Sequence, residues 1–385
     1  MEAIPYGRQS LDSDDIDRVT DVLRGDWLTQ GPAVAAFEEA VASLCDVPHA
    51  VAFSSGTAAL HGAAFAAGVG SGDVLLTSAI TFAASANCGV YLGAEPAFAD
   101  IDPETFNASA QTVSAAMNER VRAVVGVDFA GLPAPVEEIR RAVGDDVALI
   151  VDASHSLGAL HPDERPVGCC DHADMATFSF HPVKPVTSGE GGMVTTRSVE
   201  LADRLRRFRT HGFVREPADL RRSGEGAWYH EQHDLGFNYR LSDIHSALGL
   251  SQLGRLGHFV ERRNEVAARY REALAGVEEL ELPPAAPAGG RHGYHLFVVR
   301  HRSGEAARRA LYDALREEGI LVQVHYLPVY WHPLYAERFG FCEGLCPAAE
   351  AYYRSCLSLP CFPGLGEADQ DRVIEAVGRL APAVA

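Results

Sequence analysis

The sequence predicts an α/β fold: a mostly parallel sheet sandwiched by helices, followed by a smaller C-terminal α+β unit. Three observations predict it. The apolar runs Val121 to Val127 and Val147 to Val151 are continuous rather than alternating, as expected of strands buried on both faces. Helical patterns fall between such runs, which is the order of βα units. Beyond the Pro/Gly-rich stretch from Pro283 to Gly290 the elements become mixed and shorter.

Taken in order, Asp14 to Arg24 reads as a helix, with Ile16, Val19 and Leu23 on one face and Gly25 past its end. Val51 to Phe53 reads as a strand, Thr57 to Ala67 as a helix, Val74 to Leu76 as a strand and Phe82 to Tyr91 as a helix. Met175 to Phe180 and Gly192 to Thr196 add strands after the two apolar runs. Leu241 to Leu274 is helical with a break expected near Gly257. The smaller unit then holds a strand His295 to Arg300, a helix Glu305 to Glu318, a strand Ile320 to His325 and a last helix from Ala368. The expected division is a large domain over residues 1–255, with an N-terminal arm over 1–12, and a small one over 256–385.

The charge narrows the function. With 52 Asp and Glu against 33 Lys and Arg, the net charge is −19, which disfavours nucleic acid and anionic membranes as partners. The acidic start lacks the apolar segment of a signal peptide, and no stretch reaches the ~20 apolar residues of a membrane span. Eight cysteines are too few for a disulfide scaffold, so free thiols and a cytoplasmic setting are expected. Cys169-Cys170-Asp171-His172 is a poor metal motif, because adjacent cysteines fit badly around one tetrahedral ion. No metal is expected.

One residue type is nearly absent. Lys184 is the only lysine among the 33 basic residues. Arg can match its charge but stays protonated, whereas a Lys amine can lose its proton and attack a carbonyl. Lys184 lies between a strand end, Ser179-Phe180, and the glycines of Gly189-Glu190-Gly191-Gly192, rather than on an exposed helix face. Asp152 ends another buried run, where open α/β sheets bind ligands, and His155 follows it by three residues. A helix cap would explain Asp152 equally well. Ser54-Ser55-Gly56-Thr57-Ala58 links a strand to a helix N-terminus, a place for an anion, although Ser and Thr also cap helices there. Phe82 could stack on a flat ring or simply fill the core. Anion donors, an acid and one reactive amine together match what pyridoxal phosphate (PLP) requires. No Walker A sequence is possible, since Val183 precedes the only Lys, and Gly68-Val69-Gly70-Ser71-Gly72 follows a helix and reads as a turn.

Several longer segments carry a family likeness: IPYGRQ from Ile4, DWLTQGP from Asp26, DASH from Asp152, FSFHPVKPVTSGEGGM from Phe178, DLGFNYRLSDIHSALGLSQL from Asp234 and QVHY from Gln323. From Ile4 to about Leu365 the chain resembles the DegT/StrS-type PLP-dependent sugar aminotransferases, most closely those of the pseudaminic acid pathway. The resemblance implies PLP-dependent transferase fold type I and a cytoplasmic homodimer with shared active sites. It implies that Lys184 bonds the cofactor and carries a proton, Asp152 holds the ring nitrogen and His155 lies near the ring hydroxyl. Phe82 would stack on the ring. Gly56, Thr57, Ala58 and Ser179 would hold the phosphate with Asn238 from the neighbouring subunit. Tyr6, Asp26, Trp27, Leu28, Thr29, Gly56, Ser179, Asn238, Gln323, Val324, His325 and Tyr326 would line the sugar site. The implied substrates are L-glutamate and UDP-2-acetamido-2,6-dideoxy-β-L-arabino-hexos-4-ulose. The implied products are 2-oxoglutarate and UDP-4-amino-4,6-dideoxy-N-acetyl-β-L-altrosamine. Another nucleotide-sugar 4-aminotransferase, of different stereochemistry or nucleotide, is the alternative. The chain departs from the family pattern at Ser54 and Gly56, and Gly56 is expected to leave extra room beside the sugar. Arg215 to Glu225 receives no assignment beyond a candidate mobile loop.

Overall fold

The computed structural model describes residues 2–222 and 224–385, so Met1 of the N-terminal arm and Ser223 of the unassigned stretch lie outside the described residues. A central sheet contains β1 (His49–Phe53), β2 (Val74–Ser78), β3 (Glu95–Ala99), β4 (Val121–Val127), β5 (Ala148–Asp152), β6 (Met175–Ser179) and β7 (Gly192–Thr196). Their order is β1-β7-β6-β5-β4-β2-β3, and only β7 runs against the rest. This is the α/β architecture of fold type I, with a mostly parallel sheet. Strands β2 and β7 are buried along their whole length, which is why their sequences do not alternate.

Helices cover both faces. On one, α1 (Ser13–Arg24) and α2 (Pro32–Leu44) pack against α5 (Asp243–Leu253). The buried Asp243 carboxylate accepts the N–H groups of Gly31 at 2.8 Å and Ala33 at 3.0 Å, capping α2 from a distant segment. A Cβ on Gly31 would lie 2.6 Å from that carboxylate and 2.4 Å from Trp27, so the close approach requires glycine. On the other face, α3 (Gly56–Ala66) and α4 (Ala84–Val90) close over β2 and β6.

The C-terminal unit is a three-stranded antiparallel sheet of β8 (Leu280–Glu281), β9 (Phe297–His301) and β10 (Cys356–Leu359), in that order, with α7 (Glu305–Glu317) and α8 (Glu367–Ala383). Helix α6 (Leu256–Leu274) ties the two parts together. Its Leu256, Phe259 and Val260 lie in the core of the large sheet, and its Val266, Tyr270 and Leu274 lie in the C-terminal core. The division expected after residue 255 falls at its first residue. The helical break is at Gly254-Arg255 rather than Gly257, which is an ordinary helical residue with open space where a side chain would be.

The expected strand Ile320 to His325 is only two residues long. Ile320 and Leu321 pair in parallel with Ile4 and Pro5 of the N-terminal arm, and Gln323 bridges to Ser358. Its backbone groups therefore go to two neighbours, and the chain turns away so that His325 and Tyr326 face the site. Within the unassigned stretch, Pro217–Asp219 forms a single 3-10 turn, and the Glu231 carboxylate accepts the N–H groups of Arg221 and Arg222. Among the described residues no helix is long and apolar enough to cross a membrane.

Candidate active site

The C-terminal ends of β4, β5 and β6 and the start of α3 enclose a cavity of about 460 Å³. Its wall includes Tyr6, Gly56, Thr57, Phe82, Asp152, His155, Ser179, Lys184, His325 and Tyr326. Open parallel sheets place ligands at such strand ends.

Asp152 ends β5 and is buried. Its Oδ2 accepts the Ser85 hydroxyl at 2.7 Å, and Thr81 Oγ1 lies 2.7 Å from Ser85 Oγ. Its Oδ1 accepts the Ser154 N–H at 3.2 Å. A buried carboxylate needs such donors, and each bond to a charged group contributes about 1.5–3 kcal/mol. Ser85 and Thr81 were not identified from sequence. Ser85 lies in the first turn of α4 and Thr81 in the loop before it, which nothing in the local pattern links to β5.

Lys184 sits in a tight loop after β6. Its N–H donates to His181 O, and the loop closes through Ser188 N–H to Phe180 O and Phe180 N–H to Gly191 O, each at 2.9 Å. The side chain opens onto the cavity and so is only partly covered, but the amine lies deep. Burial pushes its pKa down from 10.5 to about 8, against the opposing pull of Asp152 and with help from the Arg263 charge. An appreciable fraction is thus an uncharged nucleophile near neutral pH.

His155 is held at both nitrogens. The Ala130 N–H donates to Nδ1 at 3.2 Å, so the proton of the neutral ring belongs on Nε2, which lies 3.3 Å from Tyr326 Oη. Burial, then the charges of Lys184 and His325, hold the ring well below its ordinary pKa, hence neutral. With Nε2–H donating to its oxygen, Tyr326 can direct its own proton into the cavity. Burial raises the Tyr326 pKa, so that proton stays in place.

At the anion-binding end, Ser55 caps α3 by accepting the Ala58 N–H at 3.1 Å. The N–H groups of Gly56 and Thr57, in the first turn, have no intrahelical acceptor and face the cavity end of the helix. A Cβ on Gly56 would lie 2.7 Å from Ser179 Cβ, so glycine is what lets α3 meet β6 at the cavity wall. Phe82 lies just before α4, 60% exposed, with its ring 6.2 Å from that of Tyr326.

The structure does not gather every candidate. Ala58, Gln323 and Val324 lie beside the cavity wall but not in it. Asp26, Trp27, Leu28, Thr29 and Asn238 are exposed and outside it within one chain. Their two segments meet through the Thr29–Ser242 bridge and the Asp243 N–H to Leu28 O bond.

A further carboxylate escaped the sequence reading. Asp128 follows β4 as Asp152 ends β5, and the same signal, an acid after a buried apolar run, was present. Its Oδ2 accepts the Ser156 hydroxyl at 2.6 Å and its Oδ1 the Ala134 N–H at 2.8 Å. Together with Ala130 it fixes the turn that carries His155. Full burial raises its pKa to about 7.

One amine, one carboxylate at a strand end, a neutral imidazole, an exposed aromatic ring and a helix N-terminus therefore face a single cavity. The set can hold a phosphorylated aromatic aldehyde and move a proton beside it. The family model described as the DegT/DnrJ/EryC1/StrS aminotransferase family matches residues 9–378. The chain is 38% identical over 379 residues to the spore coat polysaccharide biosynthesis protein SpsC of Bacillus subtilis strain 168, covering 97% of this chain and 96% of that one. Helicobacter pylori PseC, an aminotransferase involved in the biosynthesis of pseudoaminic acid, superposes with a TM-score of 0.90 at 29% identity, covering 99% of this chain and 100% of that one. Spr1654 of Streptococcus pneumoniae, solved in its PLP form, gives 0.91 at 25% identity over 100% of both chains.

Proposed function

The chain belongs to the DegT/DnrJ/EryC1/StrS aminotransferase family, its cofactor is pyridoxal phosphate, and from that premise we propose a UDP-sugar 4-aminotransferase of pseudaminic acid biosynthesis. The amino donor is L-glutamate, released as 2-oxoglutarate. The acceptor is UDP-2-acetamido-2,6-dideoxy-β-L-arabino-hexos-4-ulose, aminated at carbon 4 to UDP-4-amino-4,6-dideoxy-N-acetyl-β-L-altrosamine. The observation that carries the aminotransferase reading is the convergence of Lys184, Asp152, His155 and the start of α3 on one cavity. The likeness to PseC supports the sugar.

When bound, pyridoxal phosphate supplies an electron sink and carries the amino group between the two substrates. In this reading Lys184 Nζ would hold the cofactor and would carry the proton of the substrate carbon. Asp152 would keep the ring nitrogen protonated, with Ser85 fixing its carboxylate. His155 would orient the ring hydroxyl, and Phe82 would cover a ring face. Gly56, Thr57, Ala58 and Ser179 hold the phosphate, with the partner subunit's Asn238. Tyr6, His325 and Tyr326 line the sugar site from one chain with Gln323 and Val324 behind them, and Asp26 to Thr29 line it from the dimer interface. Exposed Trp27, Leu28, Leu235 and Phe237, on segments tied by the Thr29–Ser242 bridge, support the homodimer that this arrangement needs.

A second reading keeps the chemistry and changes the sugar, because identity to SpsC, named for a spore coat polysaccharide, exceeds that to PseC. The test is a panel of UDP- and dTDP-linked 4-keto hexoses with L-glutamate, products identified by mass and NMR. The UDP-L-arabino substrate should exceed the others in kcat/KM by ~10⁴-fold, the scale on which a hydrogen-bonding site rejects an analogue that cannot make its bonds. A preference for another sugar overturns the substrate. Turnover retained by Lys184→Ala overturns the mechanism.

A further inference from the structure

Arg263 on α6 is 1% exposed, and none of the ion pairs among the described residues involves it. An arginine cannot shed its charge, so such burial calls for compensation. Part is present. Nη1 donates to the carbonyl oxygens of Tyr294 at 3.1 Å, His295 at 3.3 Å and Cys361 at 2.6 Å. The opposite edge of the guanidinium differs. Nε is buried without a hydrogen-bond partner, and no protein acceptor meets Nη2 among the described residues. On a planar guanidinium those two N–H groups point the same way and form a two-pronged donor.

Arg263 also lines a cavity of about 10 Å³, walled by the N-terminal arm at Arg8 to Ser10, the loop from Pro182 to Thr187, and α6. Lys184 forms part of the wall, so the cavity lies behind the amine that faces the active site. Neither Arg8 nor Lys184 belongs to an ion pair among the described residues. A volume of this size has room for one small particle and not for a carboxylate ligand or a phosphate. Two guanidinium charges, those of Arg263 and Arg8, and no carboxylate among the lining residues favour an anion over water.

We infer that the Nε–Nη2 edge of Arg263 binds a single small anion, of chloride size, in the cavity it shares with Arg8 and Lys184. The ion completes the hydrogen bonding of the guanidinium, offsets a buried charge behind the reactive amine, and ties the N-terminal arm to the Lys184 loop. The site is separate from the substrate cavity, so it does not depend on which sugar is used.

The test uses the intact holoenzyme with sodium bromide as probe and sodium gluconate as the control of equal ionic strength. Crystals in bromide should show an anomalous difference peak within hydrogen-bond distance of Arg263 Nε and Nη2. Chloride, and not gluconate, should raise the melting temperature. Arg263→Lys keeps the charge but loses the paired edge, and its halide affinity should fall at least ~10-fold, as for other charge-assisted pairs. Should that variant fail to fold, Arg8→Gln supplies the second reading, with a weaker halide response and the bromide peak retained. Density at the site without anomalous signal in about 0.5 M bromide, or equal responses to chloride and gluconate, would overturn the proposal.

Discussion

Asp128 and Asp152 stand at the ends of neighbouring strands: the Asp128 N–H donates to Asp152 O at 3.1 Å, yet only Asp152 reaches the cavity. Folding raises the Asp128 carboxyl from 3.8 to about 7, with burial as the main cause and the Asp152 charge adding to it. The folded chain therefore holds this proton more tightly than the unfolded one. The stability linked to it is fully present below 3.8 and is lost as pH rises through about 7. Asp128→Asn cannot ionise and keeps an oxygen for the Ala134 N–H. Its stability relative to the unmodified protein should improve by roughly 1–3 kcal/mol between about pH 5 and about pH 8, measured by denaturant unfolding of both proteins. An unchanged difference at the two pH values would show that Asp128 does not titrate there. At this scale the sequence exposed Lys184 by its rarity and Asp152 by its place after an apolar run. Ser85, Thr81 and Arg263 had no comparable signal. A serine in an Ala-rich stretch and an arginine on a charged helix become informative only when packing removes them from water.

Elements meet most closely where α3 begins. Gly56 touches Ser179 of β6, and a Cβ on Gly192 of β7 would lie 2.3 Å from the Ser55 backbone oxygen. The helix start is thus wedged between two strand ends, which aims its free N–H groups at the anion-binding end of the cavity. Gly56→Ala must displace either Ser179 or the helix turn. Losing one aligned N–H to an anion costs about 1.5–3 kcal/mol, so the PLP dissociation constant should rise by ~10-fold or more, read from absorbance titration. Affinity unchanged by the substitution would mean that the phosphate is held elsewhere. Longer elements with continuous apolar runs were legible in the sequence. The helices Pro32–Leu44 and Val199–Phe208 were not read although long enough to show a pattern, and the helices Ala110–Ala116 and Val136–Val143 and the strand Glu95–Ala99 are short enough that packing rather than pattern decides them. The two-residue pairing of Ile4 and Pro5 with Ile320 and Leu321 joins opposite ends of the chain, which no local periodicity can reveal.

At the scale of the whole molecule, the exposed positions of Trp27, Leu28 and Asn238 outside the single-chain cavity set a direct test of a shared site. Lys184→Ala and Asn238→Asp chains should each be inactive or strongly impaired alone. Mixed, unfolded and refolded together, they should recover about a quarter of the native specific activity, because half of the dimers are mixed and each has one intact site. No recovery, with mixed dimers demonstrated by mass, would place Asn238 in its own chain's site. Helix α6 matters at this scale as well, since its two halves belong to different cores and Arg263 stands at the junction behind Lys184.

The sequence by itself determined the α/β class and most of the central strands, and it singled out Lys184 and Asp152 as the candidate amine and acid. Each follows from local facts: an apolar run, a strand end, the only lysine. Tertiary structure decided which nitrogen of His155 carries the proton, why Gly56 has no side chain, and that Ser85, Asp128 and Arg263 surround the reacting groups. Those depend on residues far apart in the chain meeting at hydrogen-bond distance, and such meetings are set by packing across the sheet rather than by any residue's neighbours in sequence.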